Sequence, residues 1–355
     1  LCSDYEVNIK ILLQLVVDKG LITYPERNKL LNKYTNEVVD IVLDYITLQN
    51  IAITLAESQV TAKIPIYIRY IKTLYDKNII NKNVDAIPDE KVIKTRLVSN
   101  KSLTRPEIAV LISYTKLQLV KDIAKSSIVD DPFCNVFLLR CFPPTVRKEY
   151  KEQLLHHPLK RKIIATRLSG YCIRVMGITY LRQMADEVQA SSETSLKAML
   201  IVNATCDLDN IILYLDSNTM MLKESQETIV NAYQEVRSLM RNVAQWFVIN
   251  ENKHLSMPIS VCIEPYKEPL QVLTENLEAF ESNDTLLAIE KKKEEYIEAG
   301  IDKEVADKIS KIGAYHHLFP LIHSWSKLEE VKIVQYAQLY TSLYRRLNIN
   351  WLVEK

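Results

Sequence analysis

Apolar side chains at Ile229, Tyr233, Val236, Met240, Val243 and Phe247 recur with alternating gaps of four and three residues, which places all six on one face of an α-helix. That face predicts a helix buried along a single stripe. Ile333, Tyr336, Tyr340, Leu343 and Leu347 repeat the spacing, and Leu208, Ile211, Ile212 and Leu215 give a shorter version. Helix starts are marked as well: Ser3 to Glu6, Thr23 to Glu26 and Thr104 to Glu107 each fit the S/T-x-x-E capping box, in which a hydroxyl and a carboxylate satisfy two otherwise unpaired amides. Pro25 and Pro106 fall in the first turns that follow, where a missing N–H breaks no hydrogen bond.

Strand signals are weak, because no Asn-Gly or Asp-Gly turn stands between alternating runs. The chain reads as all-α, with roughly fifteen to twenty helices at ordinary helix lengths. Breaks are expected around Ile87-Pro88-Asp89, Asp130-Asp131-Pro132, Cys141-Phe142-Pro143-Pro144 and across Pro258 to Pro269. The last is the longest proline-punctuated stretch and is expected to set off a carboxyl-terminal subdomain. No repeat of solenoid length is present.

Composition narrows the chemistry. The 355 residues carry 45 Lys and Arg against 44 Asp and Glu, a net charge of +1, so no global field draws the chain to nucleic acid or an anionic membrane. Only five glycines occur, too scattered for a dinucleotide fingerprint or a Walker loop. Cysteines 2, 134, 141, 172, 206 and 262 form no CxxC pair, which points to a reducing cytoplasm. No run of uncharged apolar residues reaches the roughly 18 that a membrane span needs. The opening LCSDYEVNIK is charged where a signal peptide would be apolar. Since the first residue is Leu1 and an apolar periodic segment follows at once, the chain is expected to be a piece of a longer polypeptide.

Candidate sites are few. The run His156-His157-Pro158-Leu159-Lys160-Arg161-Lys162, with Arg167 after it, reads either as an anion patch or as a solvated helix face paired with Glu149 and Glu152. The solvated face is the commoner outcome for such a run. His316, His317 and His323, with Cys262, are poorly spaced for a metal, so a metal site is not expected. Asp130-Asp131-Pro132 reads as a turn, Lys291 to Glu295 as an exposed mixed-charge helix, and no cysteine has the neighbours of a thiolate nucleophile. Ser3 is a helix cap, and the same helix start could hold a substrate carboxylate.

SDYEVNIKILL and ERNKLL, then SLTRPEIAVLISYTKLQL, DDPF, FPPTVRKEY, HHPLKRKIIATRL, MGITY and AQWF stand in an order that resembles the C-terminal region of the large bacterial NAD-specific glutamate dehydrogenases. The likeness runs nearly end to end, is most specific from Ser102 to Leu119, and is weakest after about residue 255. It implies that Ser3 occupies the serine position that contacts the side-chain carboxylate of glutamate. It also implies that the catalytic lysine and aspartate, the dinucleotide loop and the nicotinamide contacts precede Leu1, leaving no catalytic or cofactor-binding residue here. On this resemblance residues 1–60 are terminal helices of a dehydrogenase cofactor domain, 61–257 a central helical domain and 258–355 a carboxyl-terminal helical subdomain. NAD would serve the parent enzyme, with the upstream dehydrogenase portion as partner and a homo-oligomer when intact. Cys141 stands where the family pattern has tyrosine, and Gly170 where it has asparagine. If the upstream portion is missing, Val7, Ile11 and Leu15 are expected to lie exposed on the first helix. The rival expectation is a stand-alone helical interaction module without catalytic activity; a metal or nucleic-acid binder is a weaker third.

Overall fold

The structure, a computed structural model, describes residues 4–81, 84–99, 101–218, 226–328 and 331–347. Among these there is no strand, and the fold is all-α as the periodicities predict. The chain divides into two compact units, Leu1–Glu187 with Ser191–Glu193, and Val188–Ala190 with Thr194–Lys355.

In the first unit α1 (Asp4–Asp18) leads through a tight turn to the long α2 (Tyr24–Val60). Gly20 makes that turn: its amide bonds to Val17 O and the Leu21 amide to Val16 O, and its φ of +69° is a left-handed value that a β-carbon would strain. Thr23 then caps α2 in the box the sequence predicts, the Glu26 carboxylate accepting from the Thr23 amide at 2.7 Å. After α3 (Ile64–Asp76) and α4 (Glu90–Val98), Thr104 and Glu107 form the second box and start α5 (Arg105–Lys125). The third, at Ser3, lies outside the described residues.

Short helices follow, α6 (Asn135–Leu139), α7 (Pro144–Glu149) and α8 (Lys151–Leu155), broken where the Asp-Pro and Pro-Pro sequences predict. Asp131 caps the turn at Pro132, accepting from the Phe133 amide at 2.9 Å. Next come α9 (Lys160–Met176) and α10 (Tyr180–Val188). Ile163, Leu168, Tyr171, Cys172 and Val175 are all buried, so α9 is covered on several faces. It packs against α2, α5 and α6, while α1 packs on α2 and α8.

The second unit comprises α11 (Ser192–Thr205), α12 (Leu208–Asn218), α13 (Gln226–Asn250), α14 (Ile259–Glu275), α15 (Asn283–Glu298), α16 (Lys303–Ser310), α17 (Ile312–Trp325) and α18 (Ile333–Leu347). All six stripe residues of α13 are buried, as are the four of α12. Two expectations fail here. The stretch Pro258 to Pro269 is not a break: α14 begins directly after its cap residue Pro258 and runs through Pro265 and Pro269. Pro265 is exposed and Pro269 half-buried, whereas Cys262, Ile263, Tyr266, Leu270 and Leu273 are buried, so the apolar stripe outweighs the lost amides on the helix's outer side. The α18 stripe is only partly a core face, since Ile333 is buried but Leu343 is 54% exposed.

Val7 is exposed as expected, at 37%, but Ile11 and Leu15 are only half-buried rather than exposed. The neighbouring stripe of α1, Ile9, Leu12, Leu13 and Val16, packs inward instead. A larger apolar face lies on α2, where Val39, Leu43 and Ile46, four and three apart, are about half exposed. The segment Thr35–Val60 is long and apolar enough to cross a membrane, with a mean hydropathy of 1.5 over a window only 17% buried. Asp40 and Asp44 interrupt it, which is why a search for uncharged runs passes over it.

Candidate functional site

The inward stripe of α1 begins with two polar-tipped residues, Tyr5 and Asn8, before it turns purely apolar. Ser3, the residue singled out by sequence, lies outside the described residues. Its near neighbours on α1 define the site.

Asn8 is held at both ends. Its carbonyl accepts from His157 Nε2 at 3.0 Å, and its amide nitrogen faces Cys141 Sγ at 3.9 Å. The Leu159 amide donates to His157 Nδ1 at 3.0 Å, which assigns the ring proton to Nε2 and fixes a neutral tautomer. Burial pushes the His157 pKa below its ordinary value, against the opposing pull of the Asn8 carbonyl. The unfolded chain therefore takes up this proton at a higher pH than the folded one. The stability His157 supplies is full above about pH 6.5 and fades as pH falls below it. Unfolding midpoints measured from pH 7.5 down to 5.5 should fall more steeply for the wild type than for His157→Ala; equal slopes would remove His157 as the source.

Cys141 is also buried, and its thiol is pushed up to about 11 by desolvation, with Arg167 and Asn8 opposing. Cys172 is pushed up to about 12 in the same way. Both thiols are therefore held in their neutral form at neutral pH.

Tyr5 meets Tyr45 of α2 edge-on, their centroids 5.9 Å apart. Arg167 of α9 donates from Nη1 to the Tyr5 hydroxyl, and its guanidinium carbon lies 5.6 Å from the Tyr5 centroid and 5.0 Å from that of Tyr45. Lys116 of α5 donates to the Tyr45 hydroxyl and sits 4.8 Å from that ring centroid. Burial drives the Tyr5 phenol far above its ordinary pKa, with Arg167 pulling the other way, so it stays protonated. The Tyr45 hydroxyl reaches α9 beside Gly170, where an added β-carbon would come to 3.5 Å from it. Helices α1, α2, α5 and α9 thus bring two tyrosines and two cations together.

The cation run from His156 is dispersed rather than gathered. His157 points inward, Arg161 pairs with Asp130 and bonds the Ala124 and Ser126 carbonyls, and Lys162 is exposed. The proposed acidic partner Glu149 is engaged elsewhere, with Lys33 at 3.3 Å and Tyr34 at 2.5 Å. Among the described residues no three His, Cys, Asp or Glu side chains gather as a metal site would need. His317 pairs with Glu281 at 2.7 Å and His323 with Glu251 at 2.5 Å, and Glu251 also accepts from Tyr266 at 2.7 Å.

Sequence reasoning named Arg167 but set it beside an anion or Glu149 and Glu152 rather than the tyrosines, and it missed Tyr5, Tyr45 and Lys116. Tyr5 carried a signal in its place two residues after Ser3. Lys116 lies 71 positions from Tyr45, a separation at which no local spacing speaks.

Residues 1–56 match the family described as the bacterial NAD-glutamate dehydrogenase catalytic domain, and residues 100–355 that described as glutamate dehydrogenase, C-terminal. The chain is 27% identical over 354 residues to the NAD-specific glutamate dehydrogenase of Halomonas elongata, covering 100% of the chain and 22% of that protein. It is 25% identical over 355 residues to the protein of that name from Pseudomonas aeruginosa, again covering 100% of the chain and 22% of the relative. Over 352 residues it is 25% identical to the one from Mycobacterium tuberculosis, covering 99% of the chain and 21% of the relative. The chain therefore spans about a fifth of the length of the relatives it matches.

Proposed function

The chain belongs to the glutamate dehydrogenase C-terminal family, and from that premise we propose that it is the carboxyl-terminal portion of a cytoplasmic NAD-dependent glutamate dehydrogenase. The parent reaction passes a hydride from L-glutamate to NAD; water then replaces the amino nitrogen, giving 2-oxoglutarate and ammonia. In this reading Ser3, at the start of α1, contacts the side-chain carboxylate of glutamate, and α1 and α2 are the last helices of the dehydrogenase domain. NAD supplies the redox chemistry of the parent enzyme. The residues here do not fit it, because the five scattered glycines make no glycine-rich turn at a helix start. Its site belongs to the upstream portion, which is the partner of this chain in an enzyme that assembles as a homo-oligomer.

The observation that carries the reading is the apolar face of α2. Val39, Leu43 and Ile46 lie half-exposed on a helix that the catalytic-domain match largely covers, so the surface fits the packing face of a domain whose other elements precede this chain. The test is an assay of the purified chain with glutamate and NAD, alone and with the upstream portion supplied as a separate polypeptide. The chain alone should form no NADH, and the pair should form it. NADH formation by the chain alone would refute the division of labour, and inactivity of both the pair and the complete polypeptide would favour a stand-alone interaction module.

A further inference from the structure

Lys116 and Arg167 are two cations set against one aromatic ring, with no carboxylate paired to either among the described residues. Their described side-chain interactions run to Tyr5 and Tyr45 and, for Arg167, through space to the buried Cys141 thiol: each cation gives one hydrogen bond to a phenol, Arg167 lies 5.0 Å from the Tyr45 ring centroid, and Lys116 stands beyond the Tyr45 hydroxyl. Of the acidic residues, Asp4 and Glu6 adjoin Tyr5 and Asp44 adjoins Tyr45; Asp4 and Asp44 are exposed, Glu6 pairs with Lys10 at 2.5 Å, and Asp4 acts on Tyr5 and Cys141 through space.

A ring face attracts a cation only weakly. Like charges held beside one ring repel, and more strongly at the lower effective dielectric of a protein surface than in bulk water. Holding both cations beside Tyr45 thus sets repulsion against a weak attraction, a balance that an anion would tip. The donor inventory fits one. Arg167 uses one of its five N–H groups and Lys116 one of its three, so the flat guanidinium fork keeps a free edge and both side chains remain half-exposed. The protonated Tyr5 hydroxyl, accepting from Arg167, still has its own hydrogen to give.

We propose that Lys116 and Arg167, arranged on Tyr45 and Tyr5, form a binding site for one carboxylate group of a small free dicarboxylate. This rests on the dehydrogenase reading for the ligand class, since glutamate and 2-oxoglutarate are dicarboxylates, but the residues are new to it. The guanidinium takes the carboxylate bidentately, Lys116 supplies the second charge, and Tyr5 donates the third hydrogen bond. Helices of the C-terminal region would then bear directly on substrate affinity.

Calorimetric titration of the chain with glutarate and with 2-oxoglutarate, at low ionic strength, tests the site, with inorganic phosphate as the competing anion. Saturable binding is expected, weakened about tenfold by Lys116→Met and lost in Arg167→Met. Arg167→Lys, which keeps the charge but not the fork, should fall between. Thermal unfolding of each variant separates lost binding from lost folding, and half-exposed Lys116 gives the safer substitution. No binding to the wild type, unchanged affinity in folded Lys116→Met and Arg167→Met, or tighter binding of phosphate through the same residues would overturn the assignment. In the complete enzyme, an unchanged KM for glutamate in both methionine variants sinks the site while the dehydrogenase reading stands. Glutarate binding through Arg167 in a complete polypeptide that does not oxidise glutamate sinks the reading while the site stands.

Discussion

Replacing Phe247 by alanine is expected to destabilise the second unit by about 3–5 kcal/mol, the usual cost of removing a fully buried aromatic ring. Phe247 is 1% exposed and ends the buried stripe of α13. Its ring lies 5.2 Å from Trp246, 5.1 Å from Tyr266 of α14 and 5.7 Å from Phe319 of α17, so one side chain joins three helices. The loss combines apolar burial with the cavity left among rings that cannot collapse onto one another without leaving their rotamers. Trp246 reports the change, because it touches the deleted ring. Its fluorescence should show the urea midpoint falling sharply in Phe247→Ala, while Phe247→Leu, which refills most of the volume, should lose far less. A midpoint in Phe247→Ala within error of the wild type would mean that this cluster does not hold the unit together.

Glu107→Ala should be the most damaging single change near the surface of the first unit, at about 2–3 kcal/mol. One carboxylate does two tasks there. Both of its oxygens accept from Arg96 Nη1, at 2.8 and 2.9 Å, and Oε2 also accepts from the Thr104 amide at 2.7 Å, closing the start of α5. The Glu107 side chain is 12% exposed, and its loss takes from Arg96 and a helix-start amide the acceptor they share. Burial by itself would raise the Glu107 pKa, but the Arg96 hydrogen bond and the Thr104 contacts outweigh it and hold the carboxyl below its ordinary value. The folded chain thus releases this proton at a lower pH than the unfolded chain. The contribution is complete above the ordinary carboxylate range and disappears as pH falls through the folded pKa. Urea unfolding at pH 7 and pH 3.5, followed by circular dichroism, should show the variant well below the wild type at pH 7 and the two converging in acid. A constant gap would assign the effect to packing instead.

Glu107 belongs to the segment Ser102 to Leu119, which lies within the residues 100–355 that match the glutamate dehydrogenase C-terminal family. In the structure much of that segment proves architectural. Thr104, Pro106 and Glu107 begin α5, and Arg105 reaches across to Glu57 of α2 at 2.5 Å. The segment also carries Lys116 into the tyrosine cluster, so one motif both starts a helix and places a charge.

The helix starts at Thr23 and Thr104, and the stripes of α12 and α13, were legible because their causes lie within four residues of chain. A capping hydroxyl finds its amide, and a 3.6-residue period selects a face, whatever else the molecule does. The same local chemistry misjudged Pro265 and Pro269, since a missing amide is felt locally but the burial of Cys262, Tyr266 and Leu270 depends on helices far along the chain. It likewise gave the phase of α18 without saying how far along its length a neighbour would cover it, and Leu343 is left exposed. The tyrosine cluster lay further still from what spacing can reveal. Arg167 reaches Tyr5 across 162 positions, because α1, α2, α5 and α9 pack together. Where helices begin, and which of their faces seek cover, was thus written in short-range hydrogen bonding and periodicity. Which faces found cover, and which charges came to stand beside the same ring, was decided only by packing, because contacts between distant segments have no period in the sequence.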